Sequence, residues 1–170
     1  MIEKDSITLP WTMTSHSVAE TRKIAEMLTH LVMPEGVMLL TGELGSGKTT
    51  MIQAMAASLA CRGSVKSPTF DLLHIYDCNA ARIYHVDLYR IRNADELSVL
   101  DLPYPGEDHA LVLAEWGELL ESCYPQHFHL TCEYQGSQSR RFYLDAKGED
   151  YFRRWEQWAR IQITERETKG

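Results

Sequence analysis

Apolar residues along the chain recur at two periods, and the switches between them mark the elements. Val37-Met38-Leu39-Leu40 is an unbroken apolar run between Gly36 and Thr41, which predicts a short strand buried on both faces. Leu111-Val112-Leu113-Ala114 is a second such run. Helical spacing appears at Ile24, Met27, Leu28 and Leu31, and again at Ile52, Met55, Ala56 and Leu59. The first of these helices opens on Ser17-x-x-Glu20, a capping box, and stops before Pro34; Gly63 is a stop signal for the second. Ile7 to Met13 reads as a first strand, and Leu72 to Tyr76 and Arg82 to Leu88 as a hairpin turned at Asp77-Cys78-Asn79. His127 to Tyr134 and Arg140 to Asp145 alternate like antiparallel strands, and a last helix follows from about Asp150. The sum is a compact α/β order with a mixed sheet.

One junction in this pattern carries chemistry. Between the first buried strand and the second helix lies "GELGSGKTT", in which Gly42, Gly47, Lys48 and Thr49 fill G-x-x-x-x-G-K-[ST] without mismatch. Glycines let successive N–H groups turn inward, and the helix that starts near Lys48 adds its positive dipole end. Strand, loop and helix in that order predict a phosphate-binding loop.

Charge and cysteine content narrow the setting. The 170 residues are long enough for one domain with its own core. A net charge of -7, from 17 Lys plus Arg against 24 Asp plus Glu, disfavours a large nucleic-acid surface on this chain. Arg140-Arg141 and Arg153-Arg154 read as solvated surface charges. Cys61, Cys78, Cys123 and Cys132 show neither a C-x-x-C pair nor zinc-ligand spacing, so reduced thiols in a cytoplasmic protein are expected. The sequence shows no signal peptide and no run of membrane-spanning length.

Magnesium takes hard oxygen ligands, and phosphate-loop proteins draw them from the loop hydroxyl and from an acid closing a neighbouring strand. Asp87 in "RIYHVDLYR" and Glu115 in "ALVLAEWGE" both stand where an apolar strand ends, on the rim where open α/β sheets collect ligands. Guanine specificity lacks its signals: there is no N-K-x-D or T-K-x-D, and the D-x-x-G at Asp145 to Gly148 lies far down the chain. "VKSPTF" occupies a switch-like position, with Thr69 as a hydroxyl for the γ-phosphate or its metal. The same stretch also reads as a rigid turn around Pro68.

"GELGSGKTT", "VKSPTF", "YHVDLYR" and "AEW", in this order and spacing, closely resemble the TsaE family over roughly residues 7 to 134. The resemblance implies a three-layer α/β P-loop NTPase fold with helices flanking a mixed sheet. It implies ATP and magnesium as cofactors, and hydrolysis in tRNA threonylcarbamoyladenosine biosynthesis beside TsaB and TsaD, with tRNA met only indirectly. By residue, Gly42, Gly45, Ser46, Gly47, Lys48, Thr49 and Thr50 would hold phosphates, and Thr49, Asp87 and Glu115 the metal. Lys48, Asp87, Glu115 and Thr69 would act in catalysis, and the segment from His16 to Val18 would lie near the adenine. Trp116 matches a Trp that packs or meets a partner. Ser46 stands where the family commonly has Ala, and Gly117 where Pro is frequent.

Residues 1–147 would form the ATPase domain and 148–170 a helical extension packed on it, since Tyr151, Trp155 and Trp158 share one helix face. An Arg finger at a matching position is not evident, although Arg90 and Arg92 follow Asp87. A small-molecule P-loop kinase and a nucleotide-controlled scaffold without essential hydrolysis stay open as alternatives.

Overall fold

The computed structural model describes residues 9–62 and 72–167. Gly63 and the "VKSPTF" segment with Thr69 therefore lie outside the described residues.

Seven strands form one sheet in the order β1-β7-β6-β2-β5-β4-β3. They are β1 (Trp11–Ser15), β2 (Gly36–Thr41), β3 (Leu73–Asp77), β4 (Arg82–Asp87), β5 (Ala110–Glu115), β6 (His127–Tyr134) and β7 (Arg140–Lys147). β6, β2, β5 and β4 run parallel, whereas β7, β1 and β3 are antiparallel to their neighbours. The two unbroken apolar runs are the central strand β2 and its neighbour β5, and every residue of both is buried. Strands flanked on both sides and covered on both faces have no polar side to show.

Helices α1 (Val18–Val32), α2 (Lys48–Ser58) and α3 (Glu149–Glu167) share one core with one sheet face, through Ile24, Leu28, Met51, Ile52, Met55 and Trp155 among others. The opposite face is covered by the short 3-10 turns Ala94–Val99 and Gly117–Leu120 and their loops, which bring Leu97, Leu120 and Tyr124 onto Val37, Leu39 and Val112. Three layers result, the second flanking layer being made of 3-10 turns rather than α-helices.

Local chemistry explains the boundaries. Ser17 Oγ accepts from Glu20 N–H at 3.1 Å, and the Glu20 carboxylate reaches back to His16 N–H at 2.8 Å. This is the expected capping box, with its return bond one residue earlier than the usual pattern. α1 ends at Val32, and the cap residue Met33, whose N–H bonds Thr29 O, stands immediately before Pro34. The first strand lies later than its expected span, at Trp11–Ser15.

Arg154 departs from the expected solvated role. Half-buried, it donates to the carbonyls of Leu31, Val32, Met33 and Glu35 at 2.8–3.2 Å, so α3 satisfies the orphan acceptors where α1 ends. Trp155 and Trp158 are buried, with ring centroids 5.1 and 5.3 Å from that of Trp11.

The cysteine expectation is corrected as well. Cys61 and Cys78 form a disulfide, leaving Cys123 and Cys132 as free thiols. Backbone bonds from Arg62 N–H to Asp77 O and from Asn79 N–H to Leu59 O already lay the segment after α2 along the β3–β4 turn. Topology therefore pairs two thiols whose spacing follows no short motif.

Candidate functional site

The phosphate loop leaves β2 at Thr41 and enters α2 at Lys48. Gly42, Gly45 and Gly47 have φ of +135°, +77° and +105°, a region that L side chains rarely enter. At Gly42 space adds to the requirement, because a Cβ there would sit 2.1 Å from Cys132 O.

Lys48 folds back over this loop. Its buried Nζ donates to Gly42 O at 2.6 Å and Glu43 O at 2.9 Å, approaches Ser46 Oγ at 3.4 Å, and lies 4.0 Å from the centroid of the Trp116 ring. Burial lowers the ammonium below its ordinary value, against the opposing pull of the nearby Cys132 sulfur, Glu115 and Asp87. Burial also pushes the Cys132 thiol up to about 12, so at neutral pH that opposing pull comes from the carboxylates of Glu115, Asp87 and Glu118.

Register explains how distant acids reach the loop. Asp87 is the Cα partner of Glu115, and Glu115 is the partner of Leu40. Three parallel strands thus end side by side, which brings both carboxylates to the rim from which the loop springs. Thr49, in the first turn of α2, donates its hydroxyl to Glu115 Oε2 at 2.7 Å. His85 Nε2 donates to Glu115 Oε1 at 2.8 Å, with both groups buried. Glu115 is thereby held at both oxygens, while Asp87 is half-buried and accepts from Tyr89 N–H at 3.1 Å.

These groups line a cavity of about 660 Å³. Gly45, Gly47, Lys48, Thr49, Thr50, Val18, Asp87 and Glu115 face it, whereas Gly42 and the fully buried Ser46 shape the loop from behind. Val18, at the start of α1, is 59% exposed at the mouth, beside the exposed Leu44 and Tyr89.

Two contributors escaped the sequence reading. His85 lies two residues before Asp87 on the same strand face, so strand alternation was its signal. Arg140, expected to be solvated, lines the cavity; its Cδ lies 3.8 Å from where a Gly47 Cβ would be, and its guanidinium donates to Gly136 O and Ser139 O over the Tyr134 ring. Arg90 also lines the cavity, while Arg92 does not. Trp116 adopts φ +57° and ψ +43°, a left-handed turn that carries the chain off β5. The next residue must be small there, because a Cβ on Gly117 would lie 2.7 Å from Leu39 Cβ.

The donor set suits a magnesium nucleotide. A hydroxyl and two carboxylates supply the hard oxygens that Mg²⁺ selects, and the glycine loop with its buried ammonium supplies the cradle for phosphate oxygens.

Comparison with known proteins agrees with this geometry. Residues 15–142 match the family model described as "Threonylcarbamoyl adenosine biosynthesis protein TsaE". The chain belongs to the TsaE family. The tRNA threonylcarbamoyladenosine biosynthesis protein TsaE of Bacillus subtilis is 33% identical over 133 residues, 78% of this chain and 83% of that protein. Its namesake in Haemophilus influenzae is 35% identical over 106 residues, 62% of this chain and 67% of the relative. Among solved structures, Bacillus subtilis YdiB superimposes with a TM-score of 0.70 at 26% identity, covering 89% of this chain and 95% of that one. The fold is that of a P-loop NTPase. Among the described residues, no helix is long and apolar enough to cross a membrane.

Proposed function

We propose that this chain binds and hydrolyses Mg-ATP in the biosynthesis of tRNA threonylcarbamoyladenosine, working in the cytoplasm with TsaB and TsaD. The observation that carries the reading is the convergence of the loop lysine, the Thr49 hydroxyl and the strand-end acids Asp87 and Glu115 on one cavity, in a member of a family named for that biosynthesis.

In this reading Lys48 exchanges its loop carbonyls for β- and γ-phosphate oxygens, and the N–H groups of Gly45 to Thr50 hold the phosphate chain. Thr49, Asp87 and Glu115 would hold Mg²⁺, which when bound neutralises phosphate charge. Glu115, oriented by His85 and Thr49, positions the attacking water, while Val18 packs near the adenine. Thr69, outside the described residues, is assigned to the γ-phosphate side. Residues 1–147 would form the ATPase unit, with 148–170 docked on it through the Trp11–Trp155 contact.

Partner dependence fits the rim of the site. Val18, Leu44 and Tyr89 are exposed apolar side chains around the mouth, a surface suited to being covered by another protein. A partner that covers it excludes water and fixes Arg90, Arg140 or an arginine of its own against the transferring phosphoryl group. tRNA is then met through the complex, in keeping with the acidic net charge.

Steady-state ATPase measurements test this. The chain alone turns over slowly, and addition of TsaB and TsaD accelerates it; no hydrolysis in either condition would refute the enzymatic reading. Full support of tRNA modification by a non-hydrolysable ATP analogue would instead establish a nucleotide-controlled scaffold.

A further inference from the structure

On the sheet face opposite the α-helices, His127 and His129 lie two residues apart on β6 and so point the same way. Glu121, which ends the Gly117–Leu120 turn, approaches them, and one ligand atom from each of the three side chains lies within 4.8 Å of the other two. His127 is 3% exposed and donates Nδ1–H to Tyr124 O at 2.8 Å. Its Nε2 is buried with no hydrogen-bond partner. An unpaired lone pair in that position loses solvation with nothing in return. We propose that Glu121, His127 and His129 form a transition-metal site of the Zn²⁺ class, separate from the nucleotide site.

The surroundings are those of a prepared ligand set. A metal-bound imidazole characteristically anchors its second nitrogen on a carbonyl or similar group, which fixes tautomer and ring orientation. Tyr124 O does this for His127, and Tyr124 is itself pinned by its hydroxyl bond to Pro103 O at 2.7 Å. His129 is anchored in turn, with Nε2 2.9 Å from Thr41 Oγ1, which leaves Nδ1 as its ligand atom.

Donors around tetrahedral zinc stand about 3.4 Å apart, given bonds of about 2.0–2.2 Å. The three ligand atoms stand within 4.8 Å of one another; rotation of Glu121, the exposed member, brings its carboxylate towards the imidazoles, and binding draws the two rings together. Two imidazoles and one carboxylate select Zn²⁺, Co²⁺, Ni²⁺ or Cu²⁺ over Mg²⁺ or Ca²⁺, and leave a fourth position for water. Because Thr41 immediately precedes Gly42, a metal here would also stiffen the strand end from which the phosphate loop leaves.

Cobalt is the probe, since its visible absorption reports coordination directly. The full chain, freed of metal by chelator and held in excess Mg²⁺ to occupy the strand-end acids, is titrated with Co²⁺ and then with Zn²⁺. One equivalent of Co²⁺ binds with intense visible bands, and Zn²⁺ displaces it. Glu121→Ala, a surface change, and His129→Ala each weaken binding by more than the roughly 10–100-fold typical of outer-shell changes, with unchanged circular dichroism. No saturable cobalt spectrum would overturn the proposal, as would wild-type cobalt affinity in both Glu121→Ala and His129→Ala; His127 would then be an ordinary buried histidine.

Discussion

Thr49 Oγ1 donates to Glu115 Oε2 at 2.7 Å, joining the first turn of the phosphate-loop helix to the end of strand β5. The bond holds together two groups that share no local sequence. It also sets the hydroxyl and the carboxylate at the separation of neighbouring oxygens in a magnesium shell. Thr49→Ala removes one of those oxygens, so Mg-ATP affinity should fall towards that of metal-free ATP, and calorimetry with and without Mg²⁺ measures the difference.

Lys48→Ala should weaken Mg-ATP binding about 100-fold or more, since charge-assisted bonds to phosphate are the strong ones. Unchanged affinity by calorimetry would remove the phosphate-loop assignment. The variant also frees the acceptors Gly42 O and Glu43 O, so its melting temperature belongs beside the binding curve.

Much of this site was readable before the fold. Spacing alone placed Gly42 to Thr50 between a buried strand and a helix, and Asp87 and Glu115 at strand ends, because local periodicity and glycine chemistry are written in consecutive residues. His85, Arg140 and Arg154 were not legible in the same way. Each takes its role from a partner on another element, namely Glu115 for His85, the loop at Gly47 for Arg140 and the end of α1 for Arg154. The Cys61–Cys78 pairing likewise follows from tertiary placement and not from spacing.

His85→Ala should slow hydrolysis by about 10-fold or more while leaving ATP affinity nearly unchanged, because it removes the N–H that orients Glu115 in the proposed mechanism. His85→Gln, which keeps an N–H donor, should recover part of the rate. A purely structural role would lower stability in both variants without that split between rate and affinity.

Gly117→Ala should destabilise the fold by about 1–3 kcal/mol, the usual cost of overpacking, because the new Cβ meets Leu39 at 2.7 Å. Urea unfolding at constant m-value checks it. A neutral result would mean that the Trp116 turn relaxes to admit the added methyl.

Thiol labelling separates the cysteines. The unreduced native protein should react rapidly at Cys123 alone, since Cys132 is buried with its thiol held at about 12 and Cys61 is paired with Cys78. Unfolding without reductant should expose Cys132, and reductant then the remaining pair. Labelling of all four thiols without reductant would contradict the disulfide.

The most direct measurement is reconstituted tRNA modification, counted as threonylcarbamoyladenosine formed per TsaD with TsaB, ATP and threonylcarbamoyl donor present. Adding the wild-type chain should raise the number of tRNAs modified per TsaD, and adding Lys48→Ala should not. An equal yield with wild type, with Lys48→Ala and with no chain at all would contradict the account.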